Sequence, residues 1–299
     1  MTIRLGVIGL SEGNGHPYSW SAIFNGYDPQ AMENCGFPAI PRYLEAQEWP
    51  AASIGGAQVT GVWTQEKRIS EHIAKAAFIP HVCESVQELV EQSDAILLAR
   101  DDAENHWQFA EPVLRAGKPI YIDKPAALRV QDMKKLYDAE RYPGQIFTCS
   151  ALRYAKELEL DCSMSASIGD VRSVVAITPK SWAKYGIHII EPALKLLPES
   201  DTPVVLSTLG PAKDGASSLL VRSANGIDLA LHAVGNTPVG IRMQVNGRKA
   251  TLDLEFCDSF NAFKTALMDF VDGLKREAVS SPQAFNYRAI HLLEAGLKP

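Results

Sequence analysis

Over the first half of the chain, apolar residues gather in short runs separated by stretches of helical spacing. Ile3 to Ile8 is a β-branched, apolar run that stops at Gly9, the pattern of a strand buried on both faces. Similar runs recur at 58–64, 95–99 and 119–122. Between them Ile69, Ile73 and Ala77 fall on one helical face, and Ser85 and Glu88 have capping-box spacing ahead of Leu89 and Val90. A further helical stretch, 104–116, runs into Gly117. Strand and helix in alternation predict a Rossmann-like, doubly wound parallel sheet.

Beyond residue 150 the rhythm changes. Runs at 219–223 and 227–234 flank Asn225-Gly226, and runs at 239–245 and 249–255 flank Asn246-Gly247. Asn-Gly between two such runs is a strong hairpin signal. Two in tandem predict a largely antiparallel sheet, with helices near 261–276 and 283–298 closing the chain. The reading is an α/β domain over 1–125, then an α+β domain over 126–299 whose last helix packs back on the first. The connection between the first two strands is about twice what a simple βαβ unit needs. Its excess, about 16–57, carries Tyr18, Trp20, Phe24, Tyr27, Phe37, Tyr43 and Trp49 among four prolines. Such a segment is either a loop packed down by its own aromatics or a wall over a ligand cleft.

Composition narrows the function classes. A net charge of −6 argues against a nucleic-acid binder, and no apolar stretch reaches the length that spans a bilayer. Five scattered cysteines, none in a Cys-x-x-Cys pair, form neither a disulfide framework nor a zinc site. With no leader-like start, the expectation is a reduced, cytoplasmic protein.

The turn after the first strand reads Gly9-Leu10-Ser11-Glu12-Gly13-Asn14-Gly15. Glycines there allow a tight turn and let backbone amides approach a pyrophosphate. The usual pattern is G-x-G-x-x-G; here Ser11 holds the second position, and the third glycine is displaced to Gly13 or Gly15. The end of the second strand offers Thr64, Gln65, Lys67 and Arg68 where NAD-binding domains place an acid for the ribose diol. Lacking the acid and having cations nearby, the chain tilts toward NADP over NAD.

The stretch Ala116-Gly117-Lys118-Pro119-Ile120-Tyr121-Ile122-Asp123-Lys124-Pro125 resembles the A-G-K-x-V-x-x-E-K-P signature of the Gfo/Idh/MocA oxidoreductases, with Asp123 for glutamate. Leu152-Arg153-Tyr154 resembles the segment that opens that family's second domain, and Ile168-Gly169-Asp170-Val171 the turn before its large sheet. Gly186-Ile187-His188-Ile189-Ile190-Glu191 is similar to G-x-H-x-x-D, with glutamate for aspartate. The closing stretches Phe270-Val271-Asp272 and Ser281-Pro282 match as well.

The resemblance implies a Rossmann domain holding NAD or NADP, a second domain whose sheet meets a partner subunit, and a homodimer or dimer-based oligomer. It implies Lys124 and His188 at the catalytic positions, with Arg153, Tyr185 and Glu191 near a sugar-type substrate. Gly9, Ser11, Gly13, Gly15, Thr64, Arg68, Asp101 and His106 would line the cofactor. The chemistry agrees: a histidine suits removal of a hydroxyl proton, and a lysine stabilises developing alkoxide charge.

Two departures stand out. Lys184 occupies the place of an aspartate four residues before the histidine. On one helical face with His188, it favours the neutral, base-competent imidazole or meets an anionic substrate group. Arg100-Asp101-Asp102-Ala103-Glu104-Asn105-His106 replaces a Thr-Pro-Asn-type sequence. Its acids and histidine are of metal-ligating types, but acids collect at helix starts for capping and dipole reasons, so no metal is expected. The leading expectation is an NAD(P)-dependent oxidoreductase of a sugar or sugar-derived polyol. The altered turn keeps open a non-oxidative epimerase or lyase, and a non-catalytic nucleotide- or sugar-binding relative.

Overall fold

The structure is a computed structural model that describes residues 2–278 and 280–298. The chain forms two compact units. The first comprises Met1–Ala126, Lys134–Thr148 and Phe263–Pro282; the second comprises Ala127–Met133, Cys149–Ala262 and Gln283–Pro299.

The first unit is built on six parallel strands: β1 (Ile3–Ile8), β2 (Ala57–Trp63), β3 (His81–Val82), β4 (Ala95–Leu98), β5 (Ile120–Ile122) and β6 (Ile146–Thr148). Their spatial order is β3-β2-β1-β4-β5-β6, the doubly wound arrangement that the alternating pattern predicts. Chain order reverses between β1 and β4, so the crevice beyond their carboxyl ends is the switch point where such sheets take ligands. The residues of β4 and β5 are all buried, which is why they read as unbroken apolar runs. Ser85 caps the helix Val86–Gln92 by accepting from the Glu88 amide. The Glu88 carboxylate turns to the amide of Glu84, one residue before the partner a full capping box uses.

The long connection from β1 to β2 contains three helical segments, His16–Asn25, Pro29–Glu33 and Ala39–Glu45. The first of these is buried from Pro17 through Phe24. Trp20 lies flat between His16 and Tyr121, at centroid distances of 5.0 and 4.7 Å, and Tyr27 meets Trp49 edge-on. These aromatics make the insertion part of the first unit's core.

The first unit also extends beyond residue 125. Tyr121, Phe147 and Phe270 form an aromatic cluster with centroids 4.6–5.7 Å apart. That cluster draws β6 and residues 263–282 onto the parallel sheet. It is therefore the helix Ser259–Arg276, from Phe263 onward, that joins the first unit, whereas the last helix, Gln283–Ala295, belongs to the second.

The second unit carries β7 (Val171–Thr178), β8 (Val204–Leu209), β9 (Ser217–Arg222), β10 (Asp228–Ala233), β11 (Arg242–Gly247) and β12 (Thr251–Glu255). Their order is β12-β11-β7-β10-β9-β8, and among the described residues β7 and β10 are this sheet's one parallel pair. The two expected hairpins are β9–β10 and β11–β12, with β7 inserted between them. The helix Ile187–Lys195 is buried from Ile187 through Leu194 and packs on this sheet. Trp182 is fully buried, and its indole N–H donates to the carbonyl of Leu293 at 2.8 Å.

Asn225-Gly226 forms a turn as expected, with Gly226 at φ +76. Asn246-Gly247 does not. Asn246 still pairs with Thr251, and the Gly247 amide donates to Ala250 O, so Arg248 and Lys249 make the turn. The glycine is there for space instead: a Cβ on Gly247 would sit 2.2 Å from the carbonyl oxygen of Ile168. Gly247→Ala should therefore force backbone movement and cost about 1–3 kcal/mol, read as a lower urea midpoint at unchanged m-value. An unchanged midpoint would refute this account of the glycine.

Candidate functional site

The first unit brings its polar residues together at the carboxyl ends of β1, β4 and β5. Lys124 follows β5 directly and is buried, as is Asp123. The Asp123 carboxylate accepts from three donors: Asn14 Nδ2 at 2.8 Å, His16 Nδ1 at 2.5 Å and the Lys124 amide at 2.7 Å. One side chain thus ties the lysine-bearing loop to the turn after β1. The Lys124 ammonium lies 3.6 Å from Asp101 Oδ2. Asp101 in turn accepts from Ser11 Oγ at 2.9 Å, and its amide donates back to Ser11 Oγ at 3.0 Å.

The other members of the Arg100–His106 segment are each committed separately. Arg100 forks onto Asp102 at 2.9 and 2.5 Å, donates to Leu10 O, and lies 4.5 Å over the Phe109 ring. Although burial raises the Asp102 carboxyl, the bonds from Arg100 and Asn105 outweigh it and hold it below its ordinary value. His106 is buried with its ring nitrogens 2.8 and 2.9 Å from the carbonyl oxygens of Arg100 and Ala126. Among the described residues no group of three or more His, Cys, Asp or Glu side chains could hold a metal ion.

The three glycines of the first turn do two different jobs. A Cβ on Gly9 would collide with Pro17, and one on Gly15 with Phe37 and Ile40 of the insertion, all below 3 Å. Gly13 has φ +78 and open space around it. Ser11, at the position where a side chain most threatens a pyrophosphate, turns its hydroxyl inward to Asp101 and is buried. The exposed rim at Glu12–Gly13 is left open. The start of the following helix is less so: the His16 amide is taken by Asn14 Oδ1 at 2.7 Å, and Pro17 has no N–H. The residues fit a nucleotide laid along the rim of the turn, but not one bound through that helix's first amides.

At the end of β2, Thr64 is buried and its hydroxyl bonds Glu66 O and Ser70 Oγ. Gln65 grips both the N–H and the C=O of Leu10 at 3.0 Å, stapling β2 to the turn. Lys67 is paired with Glu84. Arg68 is exposed and, among the described residues, in no ion pair.

The second unit assembles a separate cluster around His188. Its Nδ1 lies 2.7 Å from Ser150 Oγ, and its ring meets Tyr185 edge-on at 5.0 Å. The Ser150 amide donates to Glu191 Oε2 at 2.9 Å, and Arg153 Nε donates to the same oxygen at 2.8 Å. Arg153 also reaches Asn286 Oδ1 at 2.8 Å and lies 4.4 Å over Phe285. Tyr185 accepts from Lys180 Nζ at 2.6 Å. Lys184 is half-buried and lies in a short helix, Trp182–Tyr185, separate from the helix Ile187–Lys195 that carries His188, so the single helical face expected for the two is interrupted at Gly186. Burial pushes the Glu191 carboxyl above its ordinary value, against the opposing pull of Arg153; burial lowers Arg153, but Glu191 outweighs it and holds the guanidinium charged.

Sequence reasoning missed Asn14, His16, Arg100, Ser150 and Asn286. His16, a polar residue opening a helix just after the glycine turn, carried a readable signal. Ser150 and Asn286 carried none, because their partners lie 38 and 133 residues away.

Residues 35–150 match the Gfo/Idh/MocA family, described as an oxidoreductase family with an NAD-binding Rossmann fold. The matched segment, less than half of the chain, contains Asp101, His106, Asp123, Lys124 and Ser150. No curated protein matches the chain by sequence. Similar solved structures include an oxidoreductase of Thermotoga maritima, with TM-score 0.74, 16% identity, and 100% of this chain and 96% of that one covered. The UDP-N-acetylglucosamine 3-dehydrogenase of Acidithiobacillus ferrooxidans gives 0.70 at 16% identity, with both chains covered completely. The apo scyllo-inositol dehydrogenase of Lactobacillus casei gives 0.68 at 16%, covering 99% and 95%. At such identities the likeness is one of fold.

The Arg153–Glu191 geometry makes an energetic prediction. Arg153→Met strands a buried carboxylate and should cost about 3–5 kcal/mol, while the double variant Arg153→Met/Glu191→Met should recover most of that loss. Chemical unfolding of the four proteins of the cycle measures it; additive losses would show that the two residues do not act as a pair.

Proposed function

We propose that this protein is an NAD(P)-dependent oxidoreductase that acts on a carbinol carbon of a sugar or sugar-derived polyol. The observation that carries the reading is the buried Lys124 ammonium at the carboxyl end of β5, beside the turn that would take a nucleotide. A nicotinamide nucleotide, when bound, supplies the acceptor or donor of hydride. The exposed rim at Glu12–Gly13 would hold its phosphates, and the exposed Arg68 favours a 2′-phosphate and hence NADP.

The chain's own groups handle the oxygen and the proton. As a hydroxyl becomes a carbonyl its proton must leave, and His188 is the acceptor in this reading. This role requires the tautomer in which Nδ1, 2.7 Å from Ser150 Oγ, carries the hydrogen and leaves Nε2 as the basic nitrogen. Lys124 holds the oxygen and stabilises the negative charge that develops on it. Glu191 and Arg153 act on His188 through Ser150, Tyr185 bounds the imidazole edge, and Lys184 meets an anionic substituent of the substrate. The fold's likeness to inositol and UDP-sugar dehydrogenases supports a ring polyol or sugar. Exposed Val204, Leu206, Leu209 and Leu220 on β8 and β9 support association into a homodimer. The reduced cytoplasm is the expected setting.

A second reading, turnover of a sugar without net redox by an epimerase or lyase, is favoured by one feature: the closed start of the helix after the first turn. Fluorescence titration with NADH and NADPH separates the two, with tighter NADPH binding expected. Against inositols and UDP-N-acetylglucosamine as probe substrates, Lys124→Ala and His188→Ala should each lower kcat/KM by roughly 10²–10⁴-fold. Full turnover in both variants would remove these residues from the mechanism, and failure of either nucleotide to bind at millimolar concentration would favour the second reading.

A further inference from the structure

Two features that depart from the usual sequence pattern of such domains meet in space. Ser11 replaces the second glycine of the phosphate-binding turn, and Asp101 stands after β4 where a Thr-Pro-Asn-type sequence is expected. Their positions are 90 residues apart, yet they bond reciprocally, Ser11 Oγ donating to Asp101 Oδ1 and the Asp101 amide donating to Ser11 Oγ. The other carboxylate oxygen, Oδ2, faces the Lys124 ammonium at 3.6 Å. All three side chains are buried, at 5–7% exposure. Reciprocal bonding leaves the carboxylate little freedom to rotate, so the charge it presents to Lys124 is fixed in direction.

We propose that Asp101 is a positioning residue that holds and aims the Lys124 side chain, and that Ser11 sets Asp101 from the phosphate-binding turn. The inference rests on the reading of Lys124 as the group that polarises the reacting oxygen. A buried ammonium is costly unless an opposite charge stands close, and only the charged form stabilises an alkoxide. A buried carboxylate beside it favours that form. The serine is then no defect in the turn. Glycine at that position would give the Asp101 carboxylate and amide no partner there and loosen its hold on the lysine. The same linkage lets an occupant of the turn influence Lys124, because Ser11 belongs to both.

The test reads the lysine directly, without turnover. Full-length protein is labelled with trace acetic anhydride at pH 8, and acetylation of Lys124 is quantified by peptide mass spectrometry against Lys134 and Lys67 on the surface. Removing the carboxylate in Asp101→Asn frees the lysine from its fixed partner and should raise the relative labelling of Lys124 by about tenfold. Ser11→Gly should raise it by a smaller factor, and Ser11→Thr, which keeps a hydroxyl, should stay near the parent. Melting temperature is recorded for each variant, and Ser11→Gly decides the matter if Asp101→Asn fails to fold. Unchanged Lys124 labelling in a folded Asp101→Asn or Ser11→Gly protein overturns the proposal. Should labelling change as expected while Lys124→Ala retains turnover, the positioning stands and the functional reading of the lysine fails.

Discussion

A buried ammonium at the carboxyl edge of a parallel sheet is the constraint around which the first unit is arranged. Taking a lysine out of water costs several kcal/mol, and the cost must be offset by a nearby carboxylate or the group discharges. Here Asp101 supplies the charge, and Asp123 fixes the backbone from which the lysine springs. Each of those acids is itself anchored to the turn after β1, Asp101 through Ser11 and Asp123 through Asn14 and His16. The loops after β1, β4 and β5 are thereby one hydrogen-bonded body, and the open rim at Glu12–Gly13 lies on it.

The same logic recurs, independently, in the second unit. Arg153 and Glu191 neutralise each other out of water, and the oxygen that receives the guanidinium also receives the Ser150 amide. Ser150 then meets His188. In the first unit the ion pair includes the lysine itself, and in the second it holds Ser150, which meets His188. Such pairs are weak sources of net stability but strong sources of geometric definition, because breaking one leaves a charge with no solvent to receive it.

The aromatic insertion and the displaced glycines are connected. Gly15 is buried because Phe37 and Ile40 lie where its side chain would be, and Gly9 is squeezed by Pro17. The first turn is compact on its inner side because a helical insertion packs against it, and open on its outer side at Gly13. A glycine count alone would credit all of these positions to a ligand. The coordinates assign Gly9 and Gly15 to packing, and Gly13 to a left-handed backbone with room beyond it.

Much of this was legible without a fold. Period-two and buried runs of Val, Ile and Leu dictate strands because their side chains alternate or are covered on both faces. The helical repeats, the Ser85 cap and the Gly226 turn depend on residues within four positions of one another, so local sequence suffices to specify them. Lys124 and His188 were singled out by the resemblance of short motifs, which says nothing of what their side chains meet. What a side chain touches across 38, 90 or 133 residues is another matter. The partnership of Ser11 with Asp101, the placement of β7 between two hairpins, the use of Gly247 for clearance against Ile168, and the transfer of residues 263–282 onto the parallel sheet all arise from long-range packing. No local propensity encodes them, because each exists only once distant segments have excluded water from the same space.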